Sequence, residues 1–271
     1  MDLSRRDAMA VMAVAAARSV RKAAAGEPAR SCCPIVELRQ YRLQPGKRDT
    51  LIALFDREFV ESQEALGATI IGQFRNLDDP DRFVWLRGFA DMPSRAAALS
   101  AFYGGPVWKA HREAANATMI DVDNVLLLHP AKPTSGFQLT NASRPPQGAL
   151  EPGAGIIVAY IYSFATPVGS ALTDFFEQAI APAATKAGAS VVAQFATEKS
   201  PNNFPALPVR EGENVFVWFA RFDGLQAYKD HVVRLTASRE WRAVALRLRT
   251  RLKADQQTLV LQPTARSMLH G

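Results

Sequence analysis

Three arginines and one glutamate recur in phase with aromatic side chains along what read as short strands: Glu37, Arg39 and Tyr41 in the first, Gln73 and Arg75 in the second, Trp85 and Arg87 in the third. Residues two apart on a strand share a face, so these seven occupy one side of one sheet. That side is too aromatic for open water and too charged for an ordinary core. About 120–135 residues further on, the matching positions hold Tyr160, Tyr162, Gln194 and Trp218, an aromatic set without charge. If the two sides close on each other the arginines lose water, and buried unpaired charge costs several kcal/mol. The chemistry expected there is capture of a small planar, aromatic or amphipathic anion, held by Arg39, Arg75 and Arg87 and stacked on Trp85, Trp218 and the tyrosines; the alternative is a salt-bridge network of Glu37 and the arginines across the sheet interface, with no cavity.

A second chemistry uses His111, three residues after Trp108 and four before Ala115 on the apolar side of a helix. There it could serve as the general base of a cofactor-independent oxygenase or isomerase, the arginines stabilising an enolate or phenolate. Tyr103, Arg112 and Asn116 share its helical region. His231 raises a third, weaker reading by analogy of fold alone, a haem-binding barrel with a helical axial histidine, but no haem motif surrounds it, and no cofactor is expected. Four histidines, with His129 and His270 beside a linker and the C-terminal end, argue against a metal site. Asp78, Asp79 and Asp81 flank Pro80 and read as a turn. The series Arg239, Arg242, Arg247, Arg249 and Arg251 reads as a solvated helix face, with Trp241, Leu246 and Leu248 inward and phosphate or membrane contact as the alternative. There is no P-loop, GxGxxG or GxSxG, so nucleotide-dependent and serine-hydrolase chemistry have no support.

Two near-copies of one pattern must position these groups. The first has GQFR at Gly72, FVWLRGF at Phe83 and Val107-Trp108-Lys109; the second has AQFA at Ala193, FVWFARF at Phe216 and Glu240-Trp241-Arg242. Alternation predicts strands at 35–43, 69–75, 83–90 and 124–128, with helical spacing from Leu51 to Leu66 and again after Pro93-Ser94. The second copy repeats the order, with a longer middle hairpin running from Pro201 to Glu213 that forms a rim or lid. The expectation is an α+β fold of two tandem ferredoxin-like units, each β-α-β-β-α-β, packed sheet to sheet. The expected domains are residues 34–131 and 155–264. A Pro/Gly/Ser-rich linker at 132–154 joins them, and 265–271 form a tail.

Val36-Glu37-Leu38-Arg39-Gln40-Tyr41-Arg42-Leu43, Pro45-Gly46-Lys47, Gly72-Gln73-Phe74-Arg75, Val84-Trp85-Leu86 and the helix bearing Trp108 resemble the NIPSNAP family. The resemblance is good over 35–130 and weaker over 155–262, which suggests two tandem domains of that kind. It implies the dimeric α/β barrel, built here within one chain, and no particular reaction. Internal duplication then replaces the homodimer, leaving a monomer or a further homo-oligomer.

The chain has 271 residues, 48% of them hydrophobic, with a formal charge of +6. Residues 1–25 carry net +3 of it, which removes most support for a nucleic-acid partner. No apolar run approaches a membrane span, so no stable membrane insertion is expected. Residues 1–33 resemble a twin-arginine export signal, with Ser4-Arg5-Arg6-Asp7, the apolar run Ala8 to Ala17 and Ala23-Ala24-Ala25, or else form a disordered extension. Export places the mature protein in the periplasm or outside the cell; without it the protein is cytoplasmic. Cys32 and Cys33, the only cysteines, read as exposed thiols.

Overall fold

Alternation in IVELRQYRL makes Ile35–Leu43 a strand, β1, and Gly46 at φ 71° turns the chain behind it. In the computed structural model, residues 32–139 and 142–270 are described, and the twin-arginine-like segment lies outside them. An apolar stripe from Leu51 to Val60 then runs through α1 (Arg48–Leu54), a π-helical turn (Phe55–Phe59) and α2 (Val60–Glu64). There follow β2 (Thr69–Asn76), β3 (Arg82–Phe89), α3 (Met92–Gly104), α4 (Pro106–Asn116), β4 (Met119–Asp121) and β5 (Val125–Pro130). The later part of the chain gives β6 (Ile156–Ser163), α5 (Ser170–Phe175), a second π turn (Phe176–Ile180) and α6 (Ala181–Lys186). After these come β7 (Ser190–Thr197), β8 (Val215–Phe222), α7 (Leu225–Ala237), α8 (Arg239–Arg249) and β9 (Gln257–Pro263).

Strands pair in the order β1-β3-β2-β9-β6-β8-β7-β5 and return to β1. Every pairing is antiparallel, so the sheet is a closed eight-stranded barrel, with β4 added beside the end of β1. Two seams join the early strands to the late ones. Phe74 to Asn76 pair with Pro263 to Leu261, and Leu128 to Pro130 pair with Thr197 to Phe195. Helices cover the outside of the barrel on both halves.

The faces are the reverse of the sequence expectation. Val36, Leu38, Val84 and Leu86, the uncharged alternate residues of the same strands, point into the barrel with Ile157, Ala159, Phe195, Val217 and Phe219. Glu37, Arg39, Tyr41, Trp85 and Arg87, expected to face the twin sheet, lie on the outer side under the first-half helices. An anion site inside the barrel is therefore corrected. The reason is physical: an eight-stranded barrel fills its interior with side chains from every strand, and only the uncharged list can be desolvated there without partners. Strict alternation would put Ile70 on the same side as Phe74, four residues on, but it lies on the other. A bulge at Ile71 shifts the register, leaving Ile70 under the helices while Ile71 and Phe74 enter the barrel. The same bulge recurs in β7 between Val191 and Ala193.

Two smaller expectations are also corrected. Leu246 faces solvent, 66% exposed, and Val244 takes its place beside Leu248 in the core. Cys32 and Cys33 are bonded to each other, with Cys33 buried at the end of the barrel against Gly88, whose missing side chain makes the room.

Candidate functional site

Period two sets Glu37 and Arg39 side by side on β1, and antiparallel register places Arg87 opposite Glu37 and Trp85 opposite Arg39. Helix α3 adds Arg95, in phase with Ala98, Leu99 and Phe102 on its buried face. All four charged side chains are fully buried. Glu37 Oε2 accepts hydrogen bonds from Arg39 Nη1 and Arg87 Nε, each at 2.8 Å, and Oε1 accepts one from Arg95 Nε at 2.7 Å. Arg87 also donates to Gln63 Oε1 at 2.8 Å, and Arg39 Nε donates to the Tyr41 hydroxyl at 2.9 Å.

Burial alone would raise the Glu37 carboxyl, yet the charges of Arg87, Arg39 and Arg95 outweigh it and hold the group far below the usual carboxylate range. Burial raises the Tyr41 phenol, even against Arg39, so it stays neutral and its O–H is free to donate. One carboxylate against three guanidiniums leaves two positive charges uncompensated within the cluster. Arg39 Nη2, Arg95 Nη2 and Trp85 Nε1 are buried donors without a hydrogen-bond acceptor among the described residues. The guanidinium carbons of Arg39 and Arg87 lie 5.5 and 5.0 Å from the Trp85 ring, close enough for cation–π attraction.

A cavity of about 90 Å³ lies beside this cluster, lined by Tyr41, Gln63 and Trp85, which touch the arginines, while the four charged side chains stand behind that wall. Its walls are aromatic, from Tyr41, Phe55, Phe59, Trp85, Phe102, Tyr103 and Trp108, with Gln63 and Asn116 as polar members. The other half of the molecule completes it. Leu207 lines the cavity, and Phe204 stacks on Tyr103 with centroids 5.9 Å apart and rings at 26°. Asn202 Oδ1 and Asn203 Oδ1 accept from Arg95 Nη1 at 3.1 and 2.7 Å, and Asn203 donates to the Met92 carbonyl at 2.6 Å.

The equivalent place in the second half is built differently. Register sets Val158 opposite Ala220 and Tyr160 opposite Trp218, where the first half has Glu37 with Arg87 and Arg39 with Trp85. Tyr160 stacks on Trp218 at 4.1 Å and 12°, and Trp218 Nε1 donates to the Tyr162 hydroxyl at 3.1 Å. Space open in the first half is filled here by aromatic rings.

Of the residues singled out from sequence, Glu37, Arg39, Tyr41, Trp85 and Arg87 come together. Tyr160, Tyr162, Gln194 and Trp218 belong to the second half and do not join them. Gln73, opposite Trp85 in the register, donates to Asp56 Oδ1 at 3.2 Å, and Arg75 pairs with Asp49 at the surface at 2.8 Å, so neither bonds to the Glu37 cluster. His111 lies outside the cavity, 32% exposed, with Nε2 3.4 Å from Glu58 Oε2. Tyr103 and Asn116 line the cavity, whereas Arg112 is exposed. His231 is buried, with its ring against Phe222 and Tyr228. Sequence reasoning missed Arg95, Gln63 and the four hairpin residues. Arg95 had a readable signal, since an arginine spaced three, four and seven before Ala98, Leu99 and Phe102 must point inward.

These residues bear on what the chain resembles. Residues 36–133 match the NIPSNAP family model. The match covers the half that holds the Glu37 cluster. Among solved structures, a Lactobacillus acidophilus NCFM protein provisionally assigned as a monooxygenase is 13% identical, over 85% of this chain and 94% of its own, at a TM-score of 0.50. An anthrone oxidase-like protein is 16% identical, over 88% and 95%, at 0.50. An uncharacterised NIPSNAP domain protein from Burkholderia xenovorans is 21% identical, over 36% of this chain and 94% of its own, at 0.33. No curated relative matches the chain in sequence. The first two likenesses establish a fold similar to the dimeric α/β barrel.

Proposed function

We propose that this protein binds a compact aromatic or amphipathic anion in the first-half cavity, between the outer face of the barrel and helices α1 to α4. The observation that carries this reading is the uncompensated positive charge of the Arg39, Arg87 and Arg95 cluster, buried under an aromatic cavity whose wall residue Trp85 offers an unused N–H. The fold does not require that charge, because the second half closes the same position with Val158, Tyr160 and Ala220. A ring carrying a carboxylate or phenolate suits the aromatic walls, the Trp85 N–H and the Tyr41 hydroxyl, with the positive charge of the arginines behind them. At about 90 Å³ the cavity takes a single ring, and a larger ligand needs the Phe204 and Leu207 wall to move. The test is titration with benzoate and phenolate probes, read by tryptophan fluorescence, with native mass spectrometry of protein from its host. Saturable binding lost in Arg39→Met supports the reading; probes that bind wild type and variant alike would end it.

The same groups support a second reading, a cofactor-independent oxygenase. The donors that hold a phenolate also stabilise an enolate formed from a bound ketone or phenol, and the monooxygenase and oxidase-like proteins named above share the barrel. His111 is not its base in this arrangement, since it stands outside the cavity. Oxygen uptake with anthrone-type and polyphenol substrates distinguishes turnover from binding.

The reading extends to the whole chain as two ferredoxin-like units within one molecule. The strand orders β5-β1-β3-β2 and β9-β6-β8-β7 support it, each having the last and first strands adjacent and the hairpin beyond. Export by the twin-arginine route, with a mature start near Gly26, belongs to the same proposal and rests on Arg5-Arg6 and the apolar run behind them.

A further inference from the structure

The basic charge of this protein is concentrated in one segment, helices α7 and α8 with the turn after them, far along the chain from most of the cavity's lining. Residues 225–253 carry eight lysines and arginines against Asp230 and Glu240, a net +6. The whole chain is also +6, and residues 1–25 hold +3, so the remainder is −3. Both acids in the segment are engaged: Glu240 pairs with Lys186 at 3.2 Å, and Asp230 accepts from Gln226 at 2.8 Å. Arg239, Arg242 and Arg249 are exposed and make no ion pair among the described residues.

Helix geometry lines these groups up. On α8, Val244 and Leu248 are buried with Trp241 half-buried beside them, and Arg239, Arg242, Leu246 and Arg249 form the opposite stripe at spacings of three, four and three. On α7, His231 points inward, so Lys229 and Val233 share the outer stripe. Leu246 and Val233 stand 66% and 68% exposed among the cations. The first-half helix α4 has no such face, since Lys109 and Arg112 there are accompanied by Glu113. Unpaired like charges at helical neighbour spacing destabilise a helix, so folding alone gives no reason for the pattern.

We propose that the outer face of α7 and α8 docks on an anionic lipid surface. Cations placed over acidic headgroups and aliphatic tips that enter the interface make one coherent contact. A nucleic acid fits the charge but not the rest: the exposed large apolar residues on these helices are aliphatic, offering no ring for bases to stack on. The contact is peripheral, and among the described residues no helix is long and apolar enough to cross a membrane.

The test is co-sedimentation of the full chain with vesicles of phosphatidylcholine alone or mixed with phosphatidylglycerol, at low salt and at about 1 M, where charges are screened within a few ångströms. The expected result is sedimentation with the acidic vesicles only, abolished by salt. The triple variant Arg239→Glu, Arg242→Glu, Arg249→Glu should weaken it at least about ten-fold, and Val233→Ser with Leu246→Ser about three-fold. Circular dichroism confirms that both variants keep the fold, and either alone decides the point. Equal sedimentation with neutral and acidic vesicles, or undiminished binding by the charge-reversed protein, overturns the proposal. So does a duplex DNA probe that binds in place of lipid and ignores Val233 and Leu246.

Discussion

Arg95 Nε lies 2.7 Å from Glu37 Oε1, joining helix α3 to strand β1 across 58 residues of chain, with both side chains fully buried. The same guanidinium holds Asn202 and Asn203 of the distant hairpin, so one side chain ties the charge cluster to the wall that closes the cavity.

Removing the only carboxylate among three buried guanidiniums leaves like charges facing each other without water. Glu37→Gln should therefore lower stability by about 3–5 kcal/mol, read as the shift of a urea or thermal transition. A change within about 1 kcal/mol, the range of an exposed pair, would mean that water reaches the cluster.

If the hairpin is held through Arg95, then Asn202→Ala with Asn203→Ala should free it. Hydrogen exchange over 201–213 should rise by at least about ten-fold, corresponding to roughly 1.4 kcal/mol of local opening, while β6 to β9 keep their protection. Unchanged exchange over the hairpin would show that Phe204 and Leu207 anchor it without the asparagines.

Asp56 supplies a pH signature. Burial raises its carboxyl to about 6, against the opposing charges of Arg266, Arg144 and Arg75. The folded state then binds a proton more tightly than the unfolded chain, so this group favours folding below about pH 4, and the benefit is lost as pH rises through 6. Asp56→Asn should flatten the stability profile across that window and raise stability near pH 7 by about 2 kcal/mol. A profile identical to wild type would place Asp56 in contact with water.

Glu37 works in the opposite sense. Its folded pKa is depressed below the ordinary 4.5, so its contribution is complete above that value and declines as pH falls. Acid unfolding of wild type should show this decline below about pH 4.5, and Glu37→Gln should lack it.

The element order was legible because the pattern around Gln73, Trp85 and Trp108 recurs around Gln194, Trp218 and Trp241, and periodicity survives repetition. Face assignment was not. Alternation identifies a side only by contrast with solvent, and here neither side of β1 or β3 meets water: one fills the barrel and the other lies under helices. The bulge at Ile71 added a register shift that no local signal announces. Glu37, Arg39, Arg87 and Trp85 could be grouped because strand spacing is a local property. Arg95, Asn202 and Asn203 join them through tertiary contacts up to 108 residues apart, which periodicity cannot see.

The seams β2–β9 and β5–β7 have a consequence for stoichiometry. Since one polypeptide closes its own ring, dilution cannot separate the part that supplies Arg95 from the part that supplies Phe204 and Leu207. The proposed cavity lies in the first half, and among the described residues stacked Tyr160 and Trp218 occupy the matching place in the second, so a titration should level off at a single equivalent per chain, with a midpoint independent of protein concentration.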